Sequence, residues 1–228
     1  MWANAKPPAN FSEAKRVAKQ IFRDHRTTFY CGCKYDKHGK VNLKSCGYTI
    51  QQNKRRAHRL EWEHIVPVSL WGKILPCWKE ALCCKRNQCY KGRTCCGEID
   101  GRFAEMEADL HNLVPELGDL NAMRSNYSFQ ALPHIQLGQF GQCEFKLDKE
   151  ARLVEPQDEI KGIIARAYLY MKAKYGVVLS EKELKTFETW NRDFPPNAWE
   201  IEWDKRVARV QGNHNLYISA YQEKIVHE

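Results

Sequence analysis

Arg59-Leu60-Glu61-Trp62-Glu63-His64-Ile65-Val66-Pro67 is the stretch whose reading decides the fold. It is rich in aromatic and β-branched residues, and a proline that cannot donate to a ladder closes it, so residues 59–66 read as a strand. Within it a carboxylate, Glu63, stands beside an imidazole, His64. Glu63 offers oxygen to a hard cation, and His64 has the unperturbed pKa best suited to proton transfer near neutral pH. An isolated Glu-His pair is more often a solvated carboxylate next to a structural histidine. Neighbours on a regular strand also point to opposite faces, so sharing one site requires the strand to bend, bulge or end there. A second stretch changes the balance: Asp109-Leu110-His111-Asn112-Leu113-Val114-Pro115, continuing through Gly118-Asp119-Leu120-Asn121-Ala122-Met123-Arg124-Ser125-Asn126.

The chain around these stretches has 228 residues, 43% hydrophobic and 11% aromatic, which is globular rather than disordered composition. No apolar run approaches the roughly 20 residues of a membrane span. The formal charge of +8 suits a polyanionic partner. It is unevenly spread: fourteen Lys and Arg lie between Lys6 and Arg59, against Glu13, Asp24 and Asp36. A charge run is by default a solvated face. Here Lys54-Arg55-Arg56 stands just before the Glu63-His64 strand, which favours phosphate contacts.

Ten cysteines are present, six of them between Cys77 and Cys96. No Cys-x2-Cys pair occurs, and the vicinal Cys83-Cys84 and Cys95-Cys96 suit a zinc knuckle poorly. An even count therefore favours disulfides and an oxidising compartment, with the pairing left open. The chain opens Met1-Trp2-Ala3-Asn4 with no apolar h-region, which fits a mature form whose export signal has been removed.

In chain order, residues 1–8 are expected to form a flexible arm. Asn10 and Glu13 start a helix over residues 11–25. Strands are expected over 27–35 and 41–51, with Cys46 tying the second to its neighbour. Residues 69–101 read as a long cysteine-rich loop that cross-links would have to order. Short helices are expected over 103–110 and 117–124, then mixed strand and loop over 127–145. Ile160 to Met171 follow helical spacing up to Gly176, Ser180 and Glu183 make a capping box, and a last helix runs from Trp199 to Val210, closed by Gly212. No repeat or linker divides the chain, so residues 1–228 read as one α+β domain.

The two quoted stretches resemble the bacterial endonuclease I family, exported non-specific nucleases of the ββα-metal (His-Me finger) superfamily. That family's order is a Glu-His-Ile/Val-Val-Pro segment, an Arg in a Cys-rich loop, a His-Asn-Leu segment, and an Asn on a short helix followed by Arg-x-Asn. All are present from about Tyr30 to Phe129. Residues 201–206 and 211–215 look like the family's closing helix and tail. The resemblance implies a ββα-metal core within a mostly helical, disulfide-bonded domain. It implies cleavage of DNA, and of RNA as well, to 5′-phosphate and 3′-hydroxyl ends by a periplasmic or secreted monomer without membrane contact.

The resemblance also implies a site. His64 is the general base. Glu63 and Asn121 hold one Mg2+, with Mn2+ or Ca2+ able to substitute in binding. Asn121 is preferred to Asn126 and Asn112 because its Gly-Asp-Leu-Asn context resembles the superfamily's metal helix. Arg93 resembles the phosphate-binding arginine, with Arg86 the competitor, because this loop is longer and richer in cysteine than the family's usual pattern. Arg124 and Arg59 join Arg93 as substrate-binding candidates, and Asn112 and His111 support the site from behind. The rival readings are an inactive, disulfide-rich nucleic-acid-binding relative, and a structural or partner-binding protein whose basic charge is incidental.

Overall fold

In the computed structural model, which describes residues 6–226, the chain begins with helix α1, Phe11–Ile21. Asn10 caps it by accepting the backbone N–H of Glu13, and Ala14, Ala18 and Ile21 form its buried stripe. Most of the expected arm, residues 1–5, lies outside the described residues, and Pro8 is already buried.

The two strands expected over 27–35 and 41–51 do not form. Isolated bridges join Thr27 to Lys34 and Tyr35 to Val41, and a 3-10 turn covers Leu43–Ser45. Disulfides replace the missing ladders: Cys31–Cys143 and Cys33–Cys46 fasten both segments as turns. A four-residue helix α2, Lys54–Ala57, leads into strand β1, Leu60–His64.

Residues 69–101 are more ordered than their lack of periodicity suggests. They hold helices α3, Ser69–Gly72, and α4, Pro76–Lys79, then strands β2, Cys83–Lys85, and β3, Gln88–Tyr90, and helix α5, Arg93–Ile99. Three disulfides staple them: Cys77–Cys96, Cys83–Cys95 and Cys84–Cys89. All ten cysteines are thereby paired, and the zinc reading falls. Each such cross-link typically contributes ~2–4 kcal/mol, enough to hold short elements that bury little.

Helix α6, Gly101–Glu107, and a 3-10 turn, Leu110–Asn112, precede strand β4, Leu113–Leu117, and helix α7, Gly118–Arg124. β1 and β4 pair antiparallel, with Leu60 opposite Leu117 and His64 opposite Leu113. α7 packs back on both strands, which makes the ββα unit. Only glycine fits at position 118: a Cβ there would lie 2.6 Å from Glu61 Oε1 and 2.9 Å from the Arg56 carbonyl oxygen.

The rest is a helical wall with one small sheet. Strands β5, Ser128–Phe129, β6, Lys146–Asp148, and β7, Leu153–Glu155, are ordered β5-β7-β6. Helix α8, Asp158–Tyr175, is buried along most of its length and ends at Gly176 in the left-handed conformation. Helix α9, Glu181–Asp193, carries the Ser180/Glu183 capping box. Helix α10, Ala198–Gln211, is not the last: α11, Leu216–Val226, follows. One contiguous core joins α1, β1, β4, α7 and α8 through α10. No helix among the described residues is long and apolar enough to cross a membrane.

A buried ion pair clips α8 to α10. Arg166 donates through Nε and Nη2 to Glu200, both at 2.6 Å, and through Nη1 to the Phe194 carbonyl at 2.8 Å. Both partners are essentially unexposed. Burial raises the Glu200 pKa against the pull of Arg166. Removing one member strands the other charge in the core, so Glu200→Ala is expected to cost about 3–5 kcal/mol in urea unfolding, whereas Arg166→Leu with Glu200→Leu loses much less. Equal losses in the single and double variants would contradict this account.

Candidate active site

The alternation of β1 divides the site between two faces of the strand. Glu61 and Glu63 face α7, while His64 faces α1 and α6. On the first face the pairs form two rungs. Glu61 meets Asn121, whose Nδ2 donates to Oε2 at 3.3 Å, and Glu63 meets Arg124, whose Nη1 donates to Oε1 at 2.7 Å. Among the described residues the Asn121 side chain hydrogen-bonds to Glu61 and makes no hydrogen bond to Glu63.

Glu63 is 6% exposed. Its Oε1 also accepts the Tyr30 hydroxyl at 3.1 Å. Tyr30 is held in turn by its backbone N–H on Glu116 Oε2 at 2.6 Å, and the disulfide-bonded Cys31 and Cys33 follow it directly in the chain. Burial raises Glu63 above the usual carboxylate range, against Arg124 and Tyr30, and brings Glu116 up to about 8. Among the described residues no hydrogen bond reaches Glu63 Oε2 or Asn121 Oδ1. The site thus keeps one carboxylate oxygen and one amide oxygen unspent, and this donor set fits a hard divalent cation completed by water.

Arg124 does not fit the substrate-binding role expected of it. It is 1% exposed, and besides Glu63 it donates to the carbonyls of His64 at 2.9 Å and Ile65 at 2.5 Å. Its plane lies over the Phe129 ring. A guanidinium so enclosed cannot reach a phosphate; it hooks the end of β1 onto α7.

On the opposite face, His64 is buried, and its Nε2 lies 2.8 Å from the Glu107 carbonyl oxygen. A carbonyl only accepts, so Nε2 carries the proton and Nδ1 keeps its lone pair. Burial first, and then the Arg93 charge, bring the ring down to about 3, so it is neutral throughout the ordinary pH range. Arg93 opens α5 and shares both neighbours of His64. Its Nε bonds the Glu107 carboxylate, and its guanidinium lies 4.7 Å from the centre of the Phe11 ring, itself 4.9 Å from the imidazole. Arg93 is 43% exposed, and among the described residues its Nη groups make no hydrogen bond, so they face outward beside His64.

The remaining candidates separate by placement. Arg86 stands exposed at the tip of the β2–β3 hairpin. Asn126 is engaged by Arg152 and Ser69. Asn112, fully buried, clamps the Val66 backbone by accepting its N–H at 2.7 Å and donating to its carbonyl at 3.1 Å. His111 is buried against Tyr170 and the Asn213 carbonyl, joining the site to the far helices. Arg59 is 60% exposed and touches Glu61, which also takes a bidentate contact from Arg56.

Sequence reasoning missed Glu61, Glu107, Tyr30 and Phe11. Glu61 was available from the period of two, which puts it on the face of Glu63. The other three come from distant segments, and no local spacing marks them.

The Endonuclease I family profile matches residues 11–221. Endonuclease-1 of Buchnera aphidicola subsp. Acyrthosiphon pisum is 42% identical over 212 residues, 92% of this chain and 80% of that one. An extracellular deoxyribonuclease of Aeromonas hydrophila is 41% identical, over 91% of this chain and 88% of its own. A periplasmic deoxyribonuclease of the same species is 38% identical, over 94% and 87%. With a profile that spans nearly the whole chain and relatives aligned along most of their length, this chain belongs to the endonuclease I family.

Proposed function

We propose that the protein is an exported, divalent-metal-dependent endonuclease that hydrolyses DNA, and RNA by the same backbone contacts, leaving 5′-phosphate and 3′-hydroxyl ends. It works as a monomer. The names of its relatives, extracellular and periplasmic deoxyribonuclease, support the substrate and the location. The fully paired cysteines fit an oxidising compartment.

The observation that carries the reading is the pairing of His64 with Arg93 across Glu107. With Nε2 committed to the Glu107 carbonyl, Nδ1 takes a proton from the attacking water. The Arg93 Nη groups hold non-bridging phosphate oxygens beside it, a contact that a planar guanidinium makes in two places. Phosphate charge offsets Arg93 and thereby raises the basicity of His64 once substrate is bound. Glu63 Oε2 and Asn121 Oδ1 would hold one Mg2+, with Mn2+ or Ca2+ substituting in binding. When bound, the ion supplies positive charge next to the phosphate and the leaving 3′-oxygen. Glu61 keeps the Asn121 amide turned with its oxygen free. Contacts to phosphate rather than to base edges give little sequence preference.

Plasmid nicking with and without EDTA tests the reading against a relative that binds without cutting. His64→Ala is expected to lose on the order of 10²–10⁴-fold in rate while still binding DNA. Near-complete activity in that variant would end the assignment. Glu63→Ala and Asn121→Ala each remove one oxygen donor, so their activity is expected to recover in part at high Mg2+. A bound Mn2+ found away from both residues would disprove the ligand set. Dithiothreitol in the presence of Mg2+ is expected to abolish nicking, because Tyr30 and Arg93 both sit in disulfide-pinned segments; the native protein should show no titratable thiol with Ellman's reagent. Full activity after complete reduction would show that the cross-links do not maintain the site.

A further inference from the structure

The β2–β3 hairpin has no part in the chemistry above, yet it is built with care. It pairs with no other strand, and an isolated two-stranded hairpin is marginal in water. Here Cys84–Cys89 bridges its two strands, Cys83–Cys95 pins its base to α5, and the Gly92 N–H bonds the Cys77 carbonyl at 2.9 Å. From Ala81 to Gly97 there is no acidic residue, but there are Lys85, Arg86, Lys91 and Arg93. All four are exposed, and Lys85, Arg86 and Lys91 form no ion pair among the described residues. The tip turns through Arg86 and Asn87, with φ of 48° and 61°. Positive φ at both centres is what a two-residue type I′ hairpin turn requires, and Asn or Gly adopt it readily. An arginine adopts it against its own preference, and an outlier of this kind points to a use for the side chain.

We infer that this hairpin is a rigid cationic finger that grips the phosphate backbone of duplex DNA next to the bond being cut. The inference rests on the nuclease reading only for its position, since Lys91 lies two residues from Arg93. Three residues per strand carry the tip about 10 Å from its base, the axial rise of roughly three phosphates on one strand. A disulfide-locked arm loses little conformational freedom on binding, unlike a floppy lysine-rich loop. Arg93 would then be the innermost of a row of cations that sets the register of the duplex over His64.

The test uses the whole oxidised protein and a fluorescein-labelled DNA duplex, with binding read by anisotropy in EDTA so that cleavage plays no part. In K85Q/R86Q/K91Q the slope of log affinity against log salt is expected to become shallower by about two to three, since each phosphate contact contributes ~0.9. The control K149Q/K182Q/K185Q removes the same number of exposed charges from the β6–β7 turn and α9, and should change the slope by less than about one. In plasmid cleavage the finger variant should lose through KM rather than kcat. Arg86→Gly should keep or raise the melting temperature while raising KM, a combination that a structural role for Arg86 does not produce. Equal slopes in the two triple variants, or a fall in melting temperature in Arg86→Gly, would overturn the inference. A wild-type protein that binds the duplex with the expected salt dependence but never nicks in Mg2+ would leave the finger standing and remove the catalytic reading instead.

Discussion

The buried guanidinium of Arg124 is the contact on which the site depends. A charge taken out of water must be matched by acceptors, and here these are Glu63 Oε1 and the carbonyls of His64 and Ile65. The three belong to consecutive residues, so one side chain from the end of α7 fixes where β1 stops and how its last carboxylate is turned. Asn112 clamps the next backbone unit, Val66, from the side of β4. Between them the two side chains take over from the ladder at the point where it ends, with few backbone groups left unpaired.

That arrangement resolves the difficulty of a functional pair on adjacent strand positions. Glu63 and His64 do not share a face, and the strand does not bulge. Each side chain is gathered from its own side, Glu63 by Tyr30 and α7, His64 by Phe11 and α6, and the two meet only at the terminus of β1. Both flanks are thin: short helices, turns and a hairpin that bury little apolar surface by themselves. Their order comes from cross-links, with Cys31 and Cys33 just after Tyr30 and Cys95 and Cys96 just beyond Arg93. The disulfides therefore brace the segments that carry Tyr30 and Arg93.

Legibility in the sequence followed the range of the forces involved. Caps are local, so Asn10, the Ser180/Glu183 box, and the closing Gly176 and Gly212 were read correctly. The β1 and α7 elements carry both pattern and motif, and they stand within a residue or two of their expected ends, whereas β4 forms where only a connection between two short helices was expected. The strands expected over 27–35 and 41–51 failed because two disulfides impose turns there that no alternation of side chains reveals. The 69–101 segment failed in the opposite sense, since cross-links allow short elements where periodicity is absent. α11 lies beyond the Gly212 cap and was not anticipated. Arg124 was misjudged for a further reason: a motif says that an arginine is needed, but only burial says whether it faces substrate or the core.

The same distinction governs what the net charge of +8 means. Many of the cations near the site are already committed. Arg124 is held by Glu63, and Arg56 and Arg59 by Glu61. Arg93 is intermediate, anchored at Nε by Glu107 with its outer groups open. Those without an acid partner among the described residues include Lys54 and Arg55 on α2 and Lys85, Arg86 and Lys91 of the β2–β3 hairpin, all of them exposed. Formal charge draws a polyanion toward the molecule from a distance. The cations that lack an acid partner decide where it comes to rest, and these lie on elements covalently continuous with the strand that ends in His64 and the helix that begins with Arg93.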